Sequence, residues 1–295
     1  MEKYIVTKPL GKVDRSAVFL GEEKATGQKV ALKLFSRPTE EEQHKLLNQA
    51  KILKTLNHPN IVRVLDAGLD EEGNVFYAME YLAGDPLYKL IPPDEGMPFQ
   101  EIWPTIKGIS DGVQALHEAG ILHLDIKPGN ILVENGVAKL IDIGILIPEK
   151  RGKFRGTPGY IAPEIILGQP ASKQSDIYSL GALLAYMLTG HKLFSGDSPE
   201  DTLARQLKDF SESLHQKDLA RVIQRATKQE PDKRYQEVSD MLKALSLYEH
   251  EQEFEAEEPS EDPAQTEWGN WVIGSVVVIL VSIAIGIYYS LLTSI

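Results

Sequence analysis

Residues 121–144, ILHLDIKPGNILVENGVAKLIDIG, constrain this chain more than any other stretch. Asn135-Gly136 is a two-residue hairpin signal. The apolar runs beside it, Ile131 to Val133 and Ala138 to Ile141, are therefore expected to pair antiparallel. That hairpin carries Asn130 and Asp142, which flank the two runs, to one end. Two hard oxygen donors side by side suit Mg²⁺, which takes few protein oxygens and fills its shell with water and phosphate. Asp125 and Lys127 flank the same pocket, an anionic proton acceptor beside a point cation. Such a set is suited to accept a hydroxyl proton and to stabilise a phosphoryl group in transfer.

This stretch resembles the catalytic loop and metal-binding turn of eukaryotic-type Ser/Thr protein kinases. His123-Leu124-Asp125 stands where the family has His-Arg-Asp, and Asp142-Ile143-Gly144 where it has Asp-Phe-Gly. The resemblance implies an α+β, bilobal kinase fold over residues 4–248, with a small β-rich lobe and a larger helical one. It assigns catalysis to Asp125 and Lys127, Mg²⁺ to Asn130 and Asp142, and ATP as the phosphoryl donor. The overall spelling is most similar to the bacterial membrane-anchored branch of the family.

Further motifs follow in the family's order. Residues 4–18 read as strand, turn, strand, where the family has a glycine-rich lid over the phosphates. Of its three glycines only Gly11 is present; Val13 and Ser16 hold the other places, and a Cβ restricts close backbone approach. Leu10, Gly11 and Val18 are the expected nucleotide contacts here. Lys33, inside the apolar strand 28–35, is implied to hold the α- and β-phosphates. Residues 38–56 are helical in pattern, with Leu46, Ala50 and Leu53 on one face. Counting back from His58-Pro59, the family's glutamate partner of that lysine falls on Gln49. Glu42 lies two turns away on nearly the same face. The hinge reads Met79-Glu80-Tyr81-Leu82, whose Glu80 and Leu82 backbone is implied to meet adenine. Phe99 to Ala119 is an amphipathic helix leading into the catalytic loop. Gly156-Thr157-Pro158-Gly159-Tyr160 resembles the substrate-positioning turn of Ser/Thr kinases, with Thr157 bonding Asp125 and Lys127. Glu164 is expected to pair with Arg234, and Asp176 to accept N–H bonds from the catalytic loop.

Residues 143–156 contain no Ser, Thr or Tyr, and Leu124 replaces the arginine that would read a phosphorylated loop. Both absences argue against control by activation-loop phosphorylation.

Charge divides the chain. Nine of the 43 acidic residues and none of the 31 basic ones lie from Glu249 onward, so residues 1–248 carry only −3 of the net −12. No basic face points to nucleic acid. With no cysteine, thiolate metal sites and thiol catalysis are excluded. The N-terminus reads as lacking a signal peptide. Residues 249–270 read as an acidic disordered linker. From Trp271 to Leu292 there is no charge, enough to span the roughly 30 Å hydrocarbon core. This reads as a single transmembrane helix with the kinase domain cytoplasmic, where ATP is. Ser282, Gly286 and Ser290 form a small-residue stripe for a possible homodimer. The expected function is a membrane-tethered protein-serine/threonine kinase using ATP, Mg²⁺ and a protein substrate. The alternative, suggested by Gln49, Val13 and Ser16, is a pseudokinase, a nucleotide-binding signalling scaffold at the membrane.

Overall fold

The chain starts with five strands and one helix: β1 (Tyr4–Val13), β2 (Ser16–Glu23), β3 (Lys29–Phe35), α1 (Glu40–Thr55), β4 (Val64–Leu69) and β5 (Val75–Glu80). The computed structural model describes residues 1–13, 16–143, 156–208 and 217–257. The strands form one antiparallel sheet in the order β1-β2-β3-β5-β4. Side chains alternate along β5, and both of its faces are covered. Val75, Tyr77 and Met79 enter the main core with Leu46, Ala50 and Leu53 of α1. Phe76 and Ala78 enter an outer cluster with Tyr4, Val30 and Leu32. Pro9, which lacks an N–H, sits in β1 at the sheet edge, beside a bulge whose extra residue is Leu10.

Helix α1 begins at a capping box. The Thr39 side chain accepts from the Glu42 N–H, and the Glu42 carboxylate accepts the Thr39 N–H at 2.7 Å. Glu42 is thereby fixed at the helix start, and Gln49 keeps the position seven residues on.

The second half comprises β6 (Asp85–Pro86), α2 (Phe99–Glu118), β7 (Ile131–Glu134), β8 (Val137–Leu140), α3 (Pro163–Ile166), α4 (Lys173–Thr189), α5 (Pro199–Gln206), α6 (Lys217–Ala226) and α7 (Val238–Glu257). The expected stripe on α2 is buried throughout: Ile102, Ile106, Ile109, Val113 and Leu116. Gly108 and Gly112 of α2 leave room for Asn60, Ile61 and Leu140 to lie against the helix. There the turn after α1 docks on β8. Leu140 N–H donates to Asn60 O at 2.8 Å, Val62 N–H to Leu140 O at 2.9 Å, and Asn60 Nδ2 to Ala138 O at 2.8 Å. These bonds join the two lobes independently of the hinge.

Helix α4 is buried along most of its length and ends at Gly190, whose left-handed φ of 75° caps it. The Glu164–Arg234 pair forms as expected and braces the adjoining loops. All five Arg234 N–H donors are used: two on the Glu164 carboxylate at 2.9 and 2.7 Å, and three on the carbonyls of Lys228, Gln174 and Gln229. Ser175 adds a hydroxyl bond to Glu164 at 2.6 Å. Burial alone would raise the Glu164 pKa, but the Arg234 bonds and charge, with Ser175, hold it below its usual 4.5.

Met1–Tyr248 forms one compact unit. Helix α7 continues to Glu257, so the start of the segment expected to be disordered from residue 249 is helical. Glu, Gln and Ala are adequate helix formers, and the first proline after residue 249 is Pro259. The expected membrane span, 271–292, lies outside the described residues. Among the described residues no helix is long and apolar enough to cross a membrane.

The Glu164–Arg234 pair predicts acid sensitivity with a definite sign. A carboxyl whose folded pKa is depressed stabilises above its unfolded pKa, near 4.5, and that stability is lost as pH falls through the lower folded value. Urea unfolding should show Arg234→Met losing about 3–5 kcal/mol at pH 7, with a smaller deficit below pH 4. An equal deficit at both pH values would contradict the assignment.

Candidate active site

A buried carboxylate shapes the catalytic loop. Asp176, in the first turn of α4, accepts the backbone N–H of His123 at 2.8 Å through Oδ2 and of Leu124 at 2.7 Å through Oδ1. The His117 ring meets the same Oδ2 through Nε2 at 2.8 Å. Asp176 and His123 are fully buried. Leu124 is held at φ 61°, a left-handed conformation costing a leucine about 1–2 kcal/mol. The Asp176 bond compensates that strain. The His123 pKa is lowered by burial, which outweighs the opposing charges of Asp176 and Asp125. Its neutral ring accepts the Asp125 N–H on Nδ1 at 3.3 Å.

The loop presents the expected residues together. Asp125 Oδ2 lies 2.8 Å from Lys127 Nζ. Thr157 joins them, accepting from Lys127 at 2.7 Å and donating to Asp125 Oδ1 at 3.0 Å. Asn130 Nδ2 donates to the Asp125 carbonyl at 2.8 Å and to Oδ2 at 2.7 Å. The side chain of Asp125 is thus aimed by three neighbours while remaining partly open to solvent.

The predicted hairpin forms between β7 and β8, with Ile131 opposite Leu140 and Glu134 opposite Val137. Both turn residues, Asn135 and Gly136, have positive φ, as a two-residue turn of this hand requires. Ile141 N–H donates to Asn130 O at 2.9 Å, which sets Asp142 beside Asn130. With Nδ2 committed to Asp125, Asn130 offers its Oδ1, and Asp142 its carboxylate, to a hard cation. This donor set fits Mg²⁺. Ile143 fills the core position after it, 5% exposed.

Lys33 is 7% exposed and forms an ion pair with Asp142. Its ammonium also lies 5.0 Å from the Phe35 ring centroid. Val18 stands directly opposite Lys33 across β2 and β3. Gly11 is opposite Val18, with open space where its Cβ would be. The bulge residue Leu10 is exposed.

At the hinge, the Glu80 N–H is taken by Arg63 O at 3.0 Å. Only the Glu80 carbonyl and the backbone of Leu82 therefore suit the adenine contacts assigned to this segment. Three further contacts bind the hinge to the metal hairpin. Lys139 Nζ meets Glu80 Oε1 at 2.7 Å, and Ala83 N–H donates to Glu134 Oε1 at 2.7 Å. Gly84 approaches Val133 O so closely that any Cβ would overlap it.

Sequence reasoning missed His117, Gln206, Glu134 and Lys139. Gln206 is fully buried, accepts the Gly159 N–H at 2.8 Å and donates to Ile161 O at 2.9 Å, fixing the turn after Thr157. A polar residue on the buried face of α5 was the available signal.

A family model described as protein kinase domain matches residues 4–263. A serine/threonine-protein kinase pkn2 of Myxococcus xanthus is 30% identical over 219 residues, covering 69% of this chain and 26% of that protein. A smooth-muscle myosin light chain kinase of Gallus gallus is 32% identical over 209 residues, covering 68% of this chain and 11% of that protein. The chain thus spans about a quarter or less of the length of these relatives.

Replacing Asp176 with Ala leaves two buried N–H groups and the His117 ring without their acceptor. The expected loss is about 3 kcal/mol or more in urea unfolding. Hydrogen exchange at residues 123 and 124 should accelerate ahead of global unfolding. Unchanged exchange there would show that Asp176 does not hold the loop.

Proposed function

Since the chain belongs to the protein kinase family, we propose that it transfers the γ-phosphoryl group of ATP to a Ser or Thr hydroxyl of a protein. The observation that carries this reading is the Asp125–Lys127–Thr157–Asn130 cluster beside Asp142. Thr157 occupies Asp125 Oδ1 as a substrate hydroxyl would, a hydroxyl donating to the carboxylate with an ammonium alongside. In this reading Asp125 orients the acceptor hydroxyl and takes its proton as the bond to phosphorus forms. Lys127 neutralises charge on the phosphoryl oxygens in transfer. Lys33 turns from Asp142 to the α- and β-phosphates. Leu10, Gly11 and Val18 cover the nucleotide, and Glu80 and Leu82 meet its base. Asn130 and Asp142 would hold Mg²⁺, which would supply positive charge to offset that of the phosphates.

The Ser/Thr preference is supported by Lys127 two residues after Asp125 and by the 156–160 turn. Control without activation-loop phosphorylation is proposed from the absence of acceptors in 143–156 and from Leu124. A membrane anchor at 271–292, with the kinase domain cytoplasmic, is proposed from the uncharged run there. Its small-residue stripe is a candidate for pairing two copies. The pseudokinase reading rests on Val13 and Ser16 in place of lid glycines and on Gln49, which substitutes a neutral amide where a carboxylate would strengthen the Lys33 contact.

Two outcomes are expected. With Mg²⁺ and labelled ATP, the full chain should label serine or threonine of a protein acceptor, and Asp125→Asn should reduce the rate by about 10²-fold or more. Label on tyrosine, or an unaffected variant, would contradict the proposal. In a second experiment the full chain should float with liposomes, and a Leu280→Arg, Ile283→Arg variant should not, because two arginines at mid-span oppose insertion. Equal flotation would remove the anchor.

A further inference from the structure

Two exposed lysines flank the turn that follows Thr157. An added Cβ on Gly159 would lie 3.0 Å from Lys192 Cδ and 3.6 Å from its Cγ, so the Lys192 stem runs over this glycine. Gly159 has φ 99° and donates its N–H to Gln206. Lys208 follows Gln206 by two residues. Gln229 holds that corner, donating from Nε2 to Gln206 O at 2.9 Å and to Lys208 O at 3.0 Å. Among the described residues neither ammonium has a carboxylate within ion-pair distance, and both lysines are exposed.

Four acids of this region, among the described residues, are engaged elsewhere. Asp125 faces Lys127 and Thr157, Asp142 faces Lys33, and Glu164 is sealed against Arg234. Asp201, in the first turn of α5, is bonded by Arg205 and by the Asp197 N–H and feels Lys208 only as a longer-range charge. Gly129, immediately before Asn130, contributes no side chain and opens to free space. Thr157 lies against Asp125, and Gly159 is two residues on. Summing those links, Lys192 falls within about 15 Å of the acceptor position. An extended peptide covers that in about four residues.

We propose that the substrate segment around the acceptor Ser or Thr is acidic, with carboxylates within about four positions of the acceptor meeting Lys192 and Lys208. This deepens the kinase reading and rests on it. A basic segment would instead meet two exposed ammonium groups, a like-charge contact that disfavours binding.

The test uses the full chain and peptides identical except for Glu, Gln or Lys at the flanking positions, with fluorescence anisotropy for binding and label transfer for turnover. The Glu peptide should exceed the Lys peptide about 5- to 20-fold in kcat/KM, mostly through KM, as expected for one or two exposed ion pairs. The preference should shrink toward unity near 1 M salt, where the Debye length is about 3 Å. A Lys192→Glu, Lys208→Glu variant, its folding checked by Tm, should reverse the order. Equal use of both peptides, or a preference the variant leaves unchanged, overturns the acidic-substrate inference and leaves the kinase reading intact. Lysine-dependent binding of the Glu peptide with no transfer supports the site and overturns the kinase reading instead.

Discussion

One buried carboxylate holds the chemistry in place. Asp176 accepts from two consecutive backbone amides of the catalytic loop and from the His117 ring. Those bonds offset the strain of the left-handed Leu124 and anchor the backbone just before Asp125. The cost of burying Asp176 is offset by three hydrogen bonds, charge-assisted on the acceptor side. The arrangement also ties α4, which is buried along most of its length, to α2 and the loop that follows it. The rigid helical half thereby carries a short irregular segment whose backbone polar groups have few other partners.

The second constraint is the β7–β8 hairpin. It sets Asn130 beside Asp142 at one end, meets the hinge through Glu134 and Lys139, and receives the Asn60 turn along β8. A change in lobe angle must therefore strain the same hairpin that presents the candidate metal donors. The ion pair between Lys33 and Asp142 spans the two lobes at this point. Nucleotide and Mg²⁺ entry would exchange that pair for phosphate and metal contacts, which couples binding to the separation of the two side chains.

Much of this was legible in the sequence because its causes are local. Asn135-Gly136 specifies a two-residue turn, so the pairing of Ile131 with Leu140 and the meeting of Asn130 with Asp142 follow from chain geometry. The short spacing of Asp125, Lys127 and Asn130 places them on one loop, and Glu164, Asp176 and Arg234 stood in recognisable settings. Contacts between distant polar residues were not legible. Gln206 to Gly159 and Lys139 to Glu80 join segments 47 and 59 residues apart, and neither end carries a local signature. Glu42 illustrates a different limit. Its helical phase placed it on nearly the face of Gln49 but two turns away, and the capping box at Thr39, which takes its carboxylate, had no part in that reading. The acidic stretch after Glu249 was read from composition, which does not register that an existing helix propagates through good helix formers until a proline intervenes.

The proposed activity requires Lys33 to hold the phosphates although Gln49 stands where a carboxylate is expected. The direct measurement is the rate of Mg²⁺-dependent phosphoryl transfer by the wild-type full chain beside Gln49→Glu. The account predicts measurable transfer by the wild type and a faster Gln49→Glu variant, by about tenfold, as a restored charge partner positions Lys33. A wild-type chain that binds ATP but transfers nothing, with Gln49→Glu equally inert, would contradict it.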